Sequence, residues 1–252
     1  MAIFAPIFAT FDPNTTDLLN IRTSPNKVHI LGTDDLGRDI FSRLLYGGRV
    51  SIAVGVASMM LQILIGVTIG VIAGYFGGLI DKIIMRIVDI IMCFPFFVIA
   101  IALAAVIGGS ITNLVLIIGM LMWPVITRIV RGEVLVTKQN EYILAAKALG
   151  FNTFEIIIHH IIPNIISAIL VSSTLCIAQG ILMEATLSFL GLGVNPPTPS
   201  WGNMLVAAQN MSVLSHKWWM WIPAGMSVVL IVLSVNFVGD GLRDALDVEK
   251  SV

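Results

Sequence analysis

The side chains that most often take part in catalysis or metal binding are few in this sequence and are not grouped for either task. His159 and His160 are adjacent, and neighbouring residues on a helix point about 100° apart, so the pair cannot easily bind one ion together. Cys93 and Cys176 each lie inside an apolar run, which excludes a disulfide framework and a thiolate metal cluster. We therefore predict no metal site and interpret the two histidines as interfacial residues.

Two motifs that would indicate enzymatic chemistry are also missing from the sequence. It contains no G-x-x-x-x-G-K-[ST] loop to cradle nucleotide phosphates, so the chain cannot hold ATP by that route. It contains no G-x-S-x-G motif, and a serine protease within a membrane would need a serine and a histidine base buried at comparable depth. We therefore predict that the chain has no catalytic residues and is not an enzyme.

Four polar residues within or at the ends of apolar stretches are candidates for a polar pathway or a subunit interface. Asp89 lies close to Arg86 in the sequence, so an ion pair at the membrane interface is the alternative to a role in a gate or a subunit contact. Glu184 lies in a predominantly apolar stretch, where an acid is a functional-site hypothesis; structural pairing is the other interpretation. Asn236 and Asp240 end the last apolar stretch and either anchor a helix end or contact a partner.

The composition indicates which elements must position these residues. Hydrophobic residues make up 57% of the 252 positions and charged residues 12%, with a mean hydropathy of +0.97. Soluble domains carry about 25% charged residues, so this chain has too little charge to coat a water-facing surface. The formal net charge of -1 provides no basic field for a phosphate backbone. We exclude an ordinary cytosolic enzyme, a disordered regulator and a nucleic-acid binder, and predict an all-α polytopic membrane protein.

Five stretches are long and apolar enough to cross a bilayer, which takes about 20 residues of helix. They lie within residues 50–80, 84–107, 113–130, 164–183 and 218–239, and the second and third form a hairpin. Residues 1–11 are apolar but would reach only about 16 Å as a helix. We interpret them as the end of a sixth helix, first in the chain, whose start is missing.

The distribution of basic residues orients these spans. One orientation places eight Lys and Arg residues at the cytoplasmic side and six outside, a bias that the positive-inside rule favours. The predicted organisation has a first-helix remnant (1–11), an external segment with an amphipathic helix (12–49) and a transmembrane domain (50–247). That domain includes a cytoplasmic segment (131–163) and an external loop (186–217).

Three glycines recur at a spacing of four residues in the first complete span. Gly66, Gly70 and Gly74 lie on one helix face, and small residues at this spacing let helix backbones approach closely in lipid. The alternative is that glycine is simply frequent in membrane helices. In either case we expect this face to be buried in protein.

The cytoplasmic segment predicts two short helices joined by a glycine. The helix-forming run EYILAAKAL is followed by Gly150, at the position of a C′ glycine. Asn152 or Thr153 can cap a second helix with Glu155 in its first turn, and Pro163 marks entry into the next span. We expect this unit to lie across the inner face of the membrane, where a soluble partner could hold it.

This unit resembles the signature of permease subunits in bacterial ATP-binding-cassette importers. Their pattern is Glu-Ala-Ala, three residues, Gly, nine residues and Ile-x-Leu-Pro; Ala145, Ala146, Gly150 and Pro163 lie at the matching positions. The sequence departs from the pattern at two positions: Leu144 stands in place of the pattern's Glu, and His160 in place of its Ile. Glu141, three residues upstream, is a candidate for the missing acid.

Four further segments resemble the second permease of dipeptide, oligopeptide and nickel importers. They are LGTDDLGRDIFSR (31–43), LSFLGLG (187–193), PPTPSWG (196–202) and NFVGDGLRDALD (236–247). The resemblance covers the chain from Phe4 onward and implies the six-helix type I importer architecture in a bacterial inner membrane. It also implies a homologous second permease, two ATPase subunits that bind ATP and Mg²⁺, and an external solute-binding protein.

In that family, residues 141–155 would form the unit that couples ATP hydrolysis to transport. Phe151 and Phe154 would be apolar anchors in a groove of the ATPase. Dipeptides or oligopeptides are the first expectation for the substrate; glutathione, nickel and metal–chelator complexes stay open. An autonomous secondary transporter is a remote alternative, because it would predict inverted internal repeats and none is visible.

Overall fold

The computed structural model describes residues 2–249, which leaves the first residue and the last three of the predicted cytoplasmic terminus outside it. Within this range the chain is helical and has no strand, apart from one isolated bridge between Thr33 and Asp39. The all-α prediction is therefore confirmed. The α-helices are α1 (Ala5–Phe8), α2 (Ile40–Phe76), α3 (Gly78–Met92), α4 (Phe96–Ile107), α5 (Ile111–Thr137), α6 (Glu141–Ala148), α7 (Thr153–Ile156), α8 (Ile162–Phe189), α9 (Trp201–Leu205), α10 (Met211–His216) and α11 (Ile222–Glu249).

Four helical stretches of the described chain are long and apolar enough to cross a membrane. They are Ile40–Phe76, Ile111–Thr137, Thr153–Phe189 and Ile222–Ala245. A fifth span results if α3 and α4 are taken together, although the two are bent by 77°. The multi-pass prediction is confirmed, and the predicted single helix over 84–107 is a bent helix pair.

Pro95 explains the bend between α3 and α4. Proline has no backbone N–H to donate, and its ring disfavours helical backbone at the residue before it. The helix accordingly ends at Met92 and resumes at Phe96. This signal was available in the sequence.

Helix α2 begins ten residues before the predicted first span. Asp39 caps it, because its Oδ2 accepts a hydrogen bond from the backbone N–H of Ser42 at 2.8 Å. The amphipathic helix expected in the external segment 12–49 is thus the first part of α2 and not a separate element. Gly47 and Gly48 do not interrupt it; a Cβ on Gly48 would lie 2.7 Å from the Trp201 ring.

The chain forms two compact units. The first unit contains the residues up to Ala57, Ile101–Ile117 and Ile177–Ser234. Its core is formed by buried residues from the start of α2, the end of α8, the short helices α9 and α10, and α11. They are Ile40, Ala185, Trp201, Met204, Val213, Met220, Ala224 and Val228. The predicted external segments, 12–49 and 186–217, both belong to this unit.

The second unit contains Ser58–Ala100, Ile118–Cys176 and the residues from Val235 onward. Its core consists of buried residues from α2, α5, α6, α7 and α8, namely Val71, Ile126, Val130, Val134, Ile143, Ala146, Ile156, Ile161, Ile165, Ile169 and Cys176. The two short helices α6 and α7 are therefore packed into a core that includes three helices long and apolar enough to cross a membrane.

Candidate functional site

Gly150 ends helix α6 and turns the chain toward α7. Its φ of +86° lies in the left-handed region, which glycine adopts without steric cost. The N–H of Phe151 donates to the carbonyl oxygen of Ala146 at 3.2 Å, and that of Gly150 donates to Lys147 at 3.1 Å. This is the Schellman arrangement of a helix C-terminus. A Cβ on Gly150 would meet no atom within 4 Å, so the backbone angle alone requires glycine here.

Asn152 starts α7 through a capping box. Its Oδ1 accepts from the N–H of Glu155 at 2.9 Å, and Oε2 of Glu155 accepts from the N–H of Asn152 at 3.0 Å. The chain then passes through one π turn, Ile157–Ile161, into α8. Pro163 lies in the first turn of α8 and does not break it. After the bend at Gly150, α7, the π turn and α8 therefore follow one another without a loop between them.

The predicted coupling residues divide into a buried anchor and an exposed surface. Ala146 is buried in the core of the second unit, together with its neighbour Ile143. The exposed members are Glu141, Ala145, Gly150, Phe151, Phe154 and Pro163. Phe154 is 73% exposed, although burial of such a ring is favourable. Leu144, Leu149 and Phe151 are exposed as well, and we call these four apolar side chains the coupling surface.

Two aromatic contacts that sequence reasoning missed hold the coupling surface in place. The ammonium group of Lys147 lies over the ring of Tyr75, at the end of α2. The rings of Phe151 and His160 meet edge to face, with their centroids 5.8 Å apart. Tyr75 also packs against the core of the second unit. Its position in the sequence carries no local signal for these contacts.

The three predicted packing glycines lie directly against α5. A Cβ on Gly66 would lie 2.6 Å from Cβ of Ile126, and one on Gly74 would lie 2.7 Å from Cβ of Val134. A Cβ on Gly70 would lie 2.9 Å from Cβ of Val130. Such distances are too short for any real Cβ, so α2 and α5 approach this closely because these positions lack side-chain atoms.

Two ion pairs join α3 to α5 within the second unit. Arg131 binds Asp81 through both carboxylate oxygens, at 2.5 and 2.6 Å. Asp89 accepts from Nη2 of Arg128 at 2.5 Å, and not from the neighbouring Arg86 that the sequence suggested. The acid is therefore an interhelical ion-pair partner, and its side chain is half exposed.

Glu184 is fully buried in the first unit and has two hydroxyl donors. Ser51 donates to its Oε2 and Ser188 to its Oε1, both at 2.7 Å. Ser51 in turn accepts from the backbone N–H of Trp201 at 3.1 Å. These contacts join α2, α8 and α9, and they favour structural pairing over a role in a pathway, because no atom of Glu184 is exposed.

Asn236 and Asp240 lie inside α11 and not at its end. Helix α11 continues nine residues beyond Asp240, to Glu249. Asn236 is half-buried, whereas Asp240 is exposed. Between them, Gly239 lies against the side chain of Thr174 on α8. The sequence placed both polar residues at the helix end because the apolar pattern stops there, but the backbone remains helical.

The sequence profile described as the binding-protein-dependent transport system inner membrane component matches residues 66–250. OppC, an oligopeptide transport system permease protein of Bacillus subtilis, is 45% identical over 98% of this chain and 80% of its own length. DppC, a dipeptide transport system permease protein of Alkalihalophilus pseudofirmus, is 43% identical over 98% of this chain and 81% of its own length. GsiD, a glutathione transport system permease protein of Shigella flexneri, is 44% identical over the same shares.

Among solved structures, a chain of the inward-facing MetNI methionine ABC transporter shares the fold. Its TM-score is 0.66 with 17% sequence identity, and the match covers 81% of this chain and 95% of that chain. At this identity the likeness concerns the fold alone.

Proposed function

Because the chain belongs to the family of binding-protein-dependent transport system inner membrane components and is a permease subunit of an ATP-binding-cassette importer, we propose that it forms half of a translocation pathway for dipeptides and oligopeptides. The observation that carries the proposal is the set of relatives named for oligopeptide, dipeptide and glutathione transport, which align along nearly the whole chain.

The partners that this function requires are a second, homologous permease, two ATPase subunits and an extracytoplasmic solute-binding protein. The chain is not itself catalytic in this proposal. ATP and Mg²⁺ are bound by the ATPase subunits, since the sequence lacks a phosphate-binding loop. The external segments, predicted as 12–49 and 186–217, face the solute-binding protein.

The coupling surface on α6 and α7 is the contact with an ATPase subunit. Four apolar side chains are exposed there, Leu144, Leu149, Phe151 and Phe154. Several exposed apolar side chains within one short segment favour a protein partner, and aromatic residues commonly dominate the binding energy of such a contact. The polar residues Glu141 and Asn152 border this set and are exposed as well.

Movement of the coupling surface reaches the membrane helices through the packing of the second unit. Ile143 and Ala146 on α6 share a core with α2, α5 and α8. Close-packed interiors transmit displacement because they deform little. Beyond Gly150 the chain continues from α7 through the π turn into α8 without a flexible linker. ATP-driven closure of the ATPases would therefore move α8 and α5 together with α6.

The test is uptake by the complete importer in proteoliposomes that contain ATP. Radiolabelled L-alanyl-L-alanine should accumulate when the binding protein and ATP are both present, and should not accumulate without either. Accumulation of ⁶³Ni²⁺ in the same vesicles, with no accumulation of any dipeptide or oligopeptide offered, would overturn the peptide assignment. Uptake by this chain alone would overturn its role as an ATP-driven subunit.

A further inference from the structure

Two adjoining cavities lie within the first unit, among segments that we assign to the exterior. The larger has a volume of about 520 Å³ and the smaller about 270 Å³. Both are lined by Arg38, Arg43, Asn203 and Val206, so the two cavities share a wall. The larger volume lies in the range of roughly 300–1,000 Å³ that is usual for small-molecule sites.

Arg43 in the shared wall keeps hydrogen-bond donors that the protein does not use. It is only 5% exposed. Its Nη1 donates to the carbonyl oxygen of Pro13 at 2.9 Å and, less closely, to that of Pro197 at 3.5 Å. Across residues 2–249, no acceptor is hydrogen-bonded to its Nη2. Since a guanidinium has five N–H donors, Arg43 can bind a further acceptor.

The charge of Arg43 is incompletely balanced by its carboxylate partner. Oδ2 of Asp34 lies 3.5 Å from Nε of Arg43 but 2.7 Å from Nε of Arg38. Oδ1 of Asp34 already accepts from the backbone N–H groups of Leu36 and Arg38, at 2.9 and 3.0 Å. A buried charge without a close partner is costly, so a second carboxylate near Arg43 would be favourable.

Two amide side chains around the cavities are arranged as acceptors. Nδ2 of Asn203 donates to the carbonyl oxygens of Val194 and Thr198, at 2.7 and 3.3 Å. Nε2 of Gln209 donates to the carbonyl oxygen of Phe189 at 2.6 Å. Because these N–H groups are engaged with backbone, the amide oxygens are left to accept from a ligand. No donor among the described residues is hydrogen-bonded to either oxygen.

The polar groups around the larger cavity favour a ligand that carries both a carboxylate and N–H donors. Its wall contains two arginines, Arg38 and Arg43, and two aspartates, Asp34 and Asp35. Both aspartates are already paired with arginines, Asp34 with Arg38 and Asp35 with Arg22, and an inorganic anion would leave the amide oxygens of Asn203 and Gln209 without a donor. A small peptide carries a carboxylate for Arg43 and N–H donors for the amide oxygens of Asn203 and Gln209, so it uses both the guanidinium group and the amide acceptors.

We propose that these cavities bind the C-terminal carboxylate of a small peptide before it enters the membrane pathway, with Arg43 as the residue that recognises the carboxylate. The inference rests on the proposed function in peptide import. It adds a substrate-binding site in the permease itself, separate from the solute-binding protein.

Saturation-transfer NMR on the purified complex of permeases and ATPases, without the binding protein, tests the site. The probes are L-alanyl-L-alanine and its C-terminal amide, because the method detects weak binding. We expect the dipeptide to bind, and the amide to bind at least about tenfold more weakly, as loss of a charge-assisted hydrogen bond predicts. Equal binding of dipeptide and amide, or no binding of the dipeptide, would overturn the site.

Three variants separate recognition from folding. Arg43→Gln removes the charge and should weaken dipeptide binding at least about tenfold. Ala207→Phe fills the larger cavity without removing a hydrogen bond and should have the same effect. Arg49→Gln is the matched control, because Arg49 is exposed on the same helix and lines neither cavity. Unchanged binding in Arg43→Gln and Ala207→Phe contradicts the proposal.

Uptake measured in parallel distinguishes failure of this site from failure of the proposed function. If the intact importer accumulates no peptide, the peptide function itself is wrong and the site falls with it. If uptake is normal, and both cavity variants leave the KM for the dipeptide unchanged, only the site is wrong. If Arg43→Gln weakens docking of the loaded binding protein but not dipeptide binding, the cavity is a docking site and the proposal is overturned.

Discussion

The ammonium nitrogen of Lys147 lies 5.3 Å from the centre of the Tyr75 ring, which links the short helix α6 to the C-terminal end of α2. A cation over the face of a tyrosine ring is attracted by about 0.5–1 kcal/mol at an exposed site. Lys147 is exposed, whereas Tyr75 packs against the core of the second unit. The contact therefore joins the coupling surface to a membrane-spanning helix at a defined point.

Replacement of Tyr75 should loosen the link between ATP hydrolysis and transport. We expect Tyr75→Leu to lower the amount of peptide imported per ATP hydrolysed by about twofold to fivefold, the effect of about 0.5–1 kcal/mol. Tyr75→Phe keeps the ring face and should behave like the wild type. The measurement is uptake and phosphate release in the same proteoliposomes. An equal loss in Tyr75→Phe and Tyr75→Leu would show that the ring face is not what matters.

Gly150 should not tolerate a side chain, because its φ is +86°. We expect Gly150→Ala to destabilise the bend by about 1 kcal/mol and to reduce uptake, and Gly150→Pro to abolish uptake. Gly132→Ala is the control: Gly132 is exposed inside α5, and its Cβ would meet no atom within 4 Å. Membrane insertion, measured by extraction and blotting, should be normal in all three. Full uptake by Gly150→Pro would contradict the coupling assignment.

The two exposed rings of the coupling surface should be needed for transport but not for insertion. We expect Phe151→Ala with Phe154→Ala to abolish ATP-driven uptake, since truncating aromatic anchors can cost about 2 kcal/mol or more each. The ATPase should also co-purify less with the variant. Phe237→Ala is the control, because Phe237 is as exposed as Phe154, at 73%, but lies in the last span. Retained ATPase binding by the double variant would disprove the interface.

Close packing of α2 on α5 should make Gly66 sensitive to a single methyl group. A Cβ there would lie 2.6 Å from Cβ of Ile126, and overpacking of this kind costs about 1–3 kcal/mol. We expect Gly66→Ala to lower the Tm of the detergent-solubilised protein, and Ile126→Ala in the same chain to recover part of the loss. Gly241→Ala, which would meet no atom within 4 Å, should leave the Tm unchanged. Additive losses in the double variant would rule out direct contact.

Glu184 should matter for stability and not for substrate affinity. Its carboxylate accepts from Ser51 and Ser188, and it has no exposed atom. We expect Glu184→Ala to lower the Tm, because both hydroxyls lose a buried acceptor at about 1–3 kcal/mol each. The KM for peptide uptake should stay the same in the folded fraction. A raised KM with an unchanged Tm would instead indicate a place in the transport pathway.

Local features of the fold followed from local patterns in the sequence. The sequence predicts a helix end at Gly150 and a cap at Asn152 or Thr153, because a left-handed backbone angle and an unpaired N–H group at a helix start favour particular residue types; in the structure the cap is Asn152. The 77° bend was missed, although Pro95 marks it in the sequence. The end of α11 was misplaced because a change from apolar to polar residues does not by itself end a helix.

The contacts between distant residues could not be predicted in the same way. Asp89 was matched with Arg86 on its own helix, but helix packing brings Arg128 to it from α5. The serines around Glu184, the ring beside Lys147 and the cavity around Arg43 are further examples. In every case the residues in contact lie far apart in the chain, and no local pattern in the sequence predicts which of them will meet.

By itself, the sequence determined that this protein is helical and embedded in a membrane, and that a bend lies at Gly150, because hydrophobicity and backbone preference act over a few residues. Only the tertiary structure decided which side of each helix faces another. That choice depends on the mutual fit of whole helix surfaces, such as Gly66 against Ile126. It also determines whether a buried polar residue finds all its hydrogen-bond partners, as Glu184 does, or keeps unused donors, as Arg43 does.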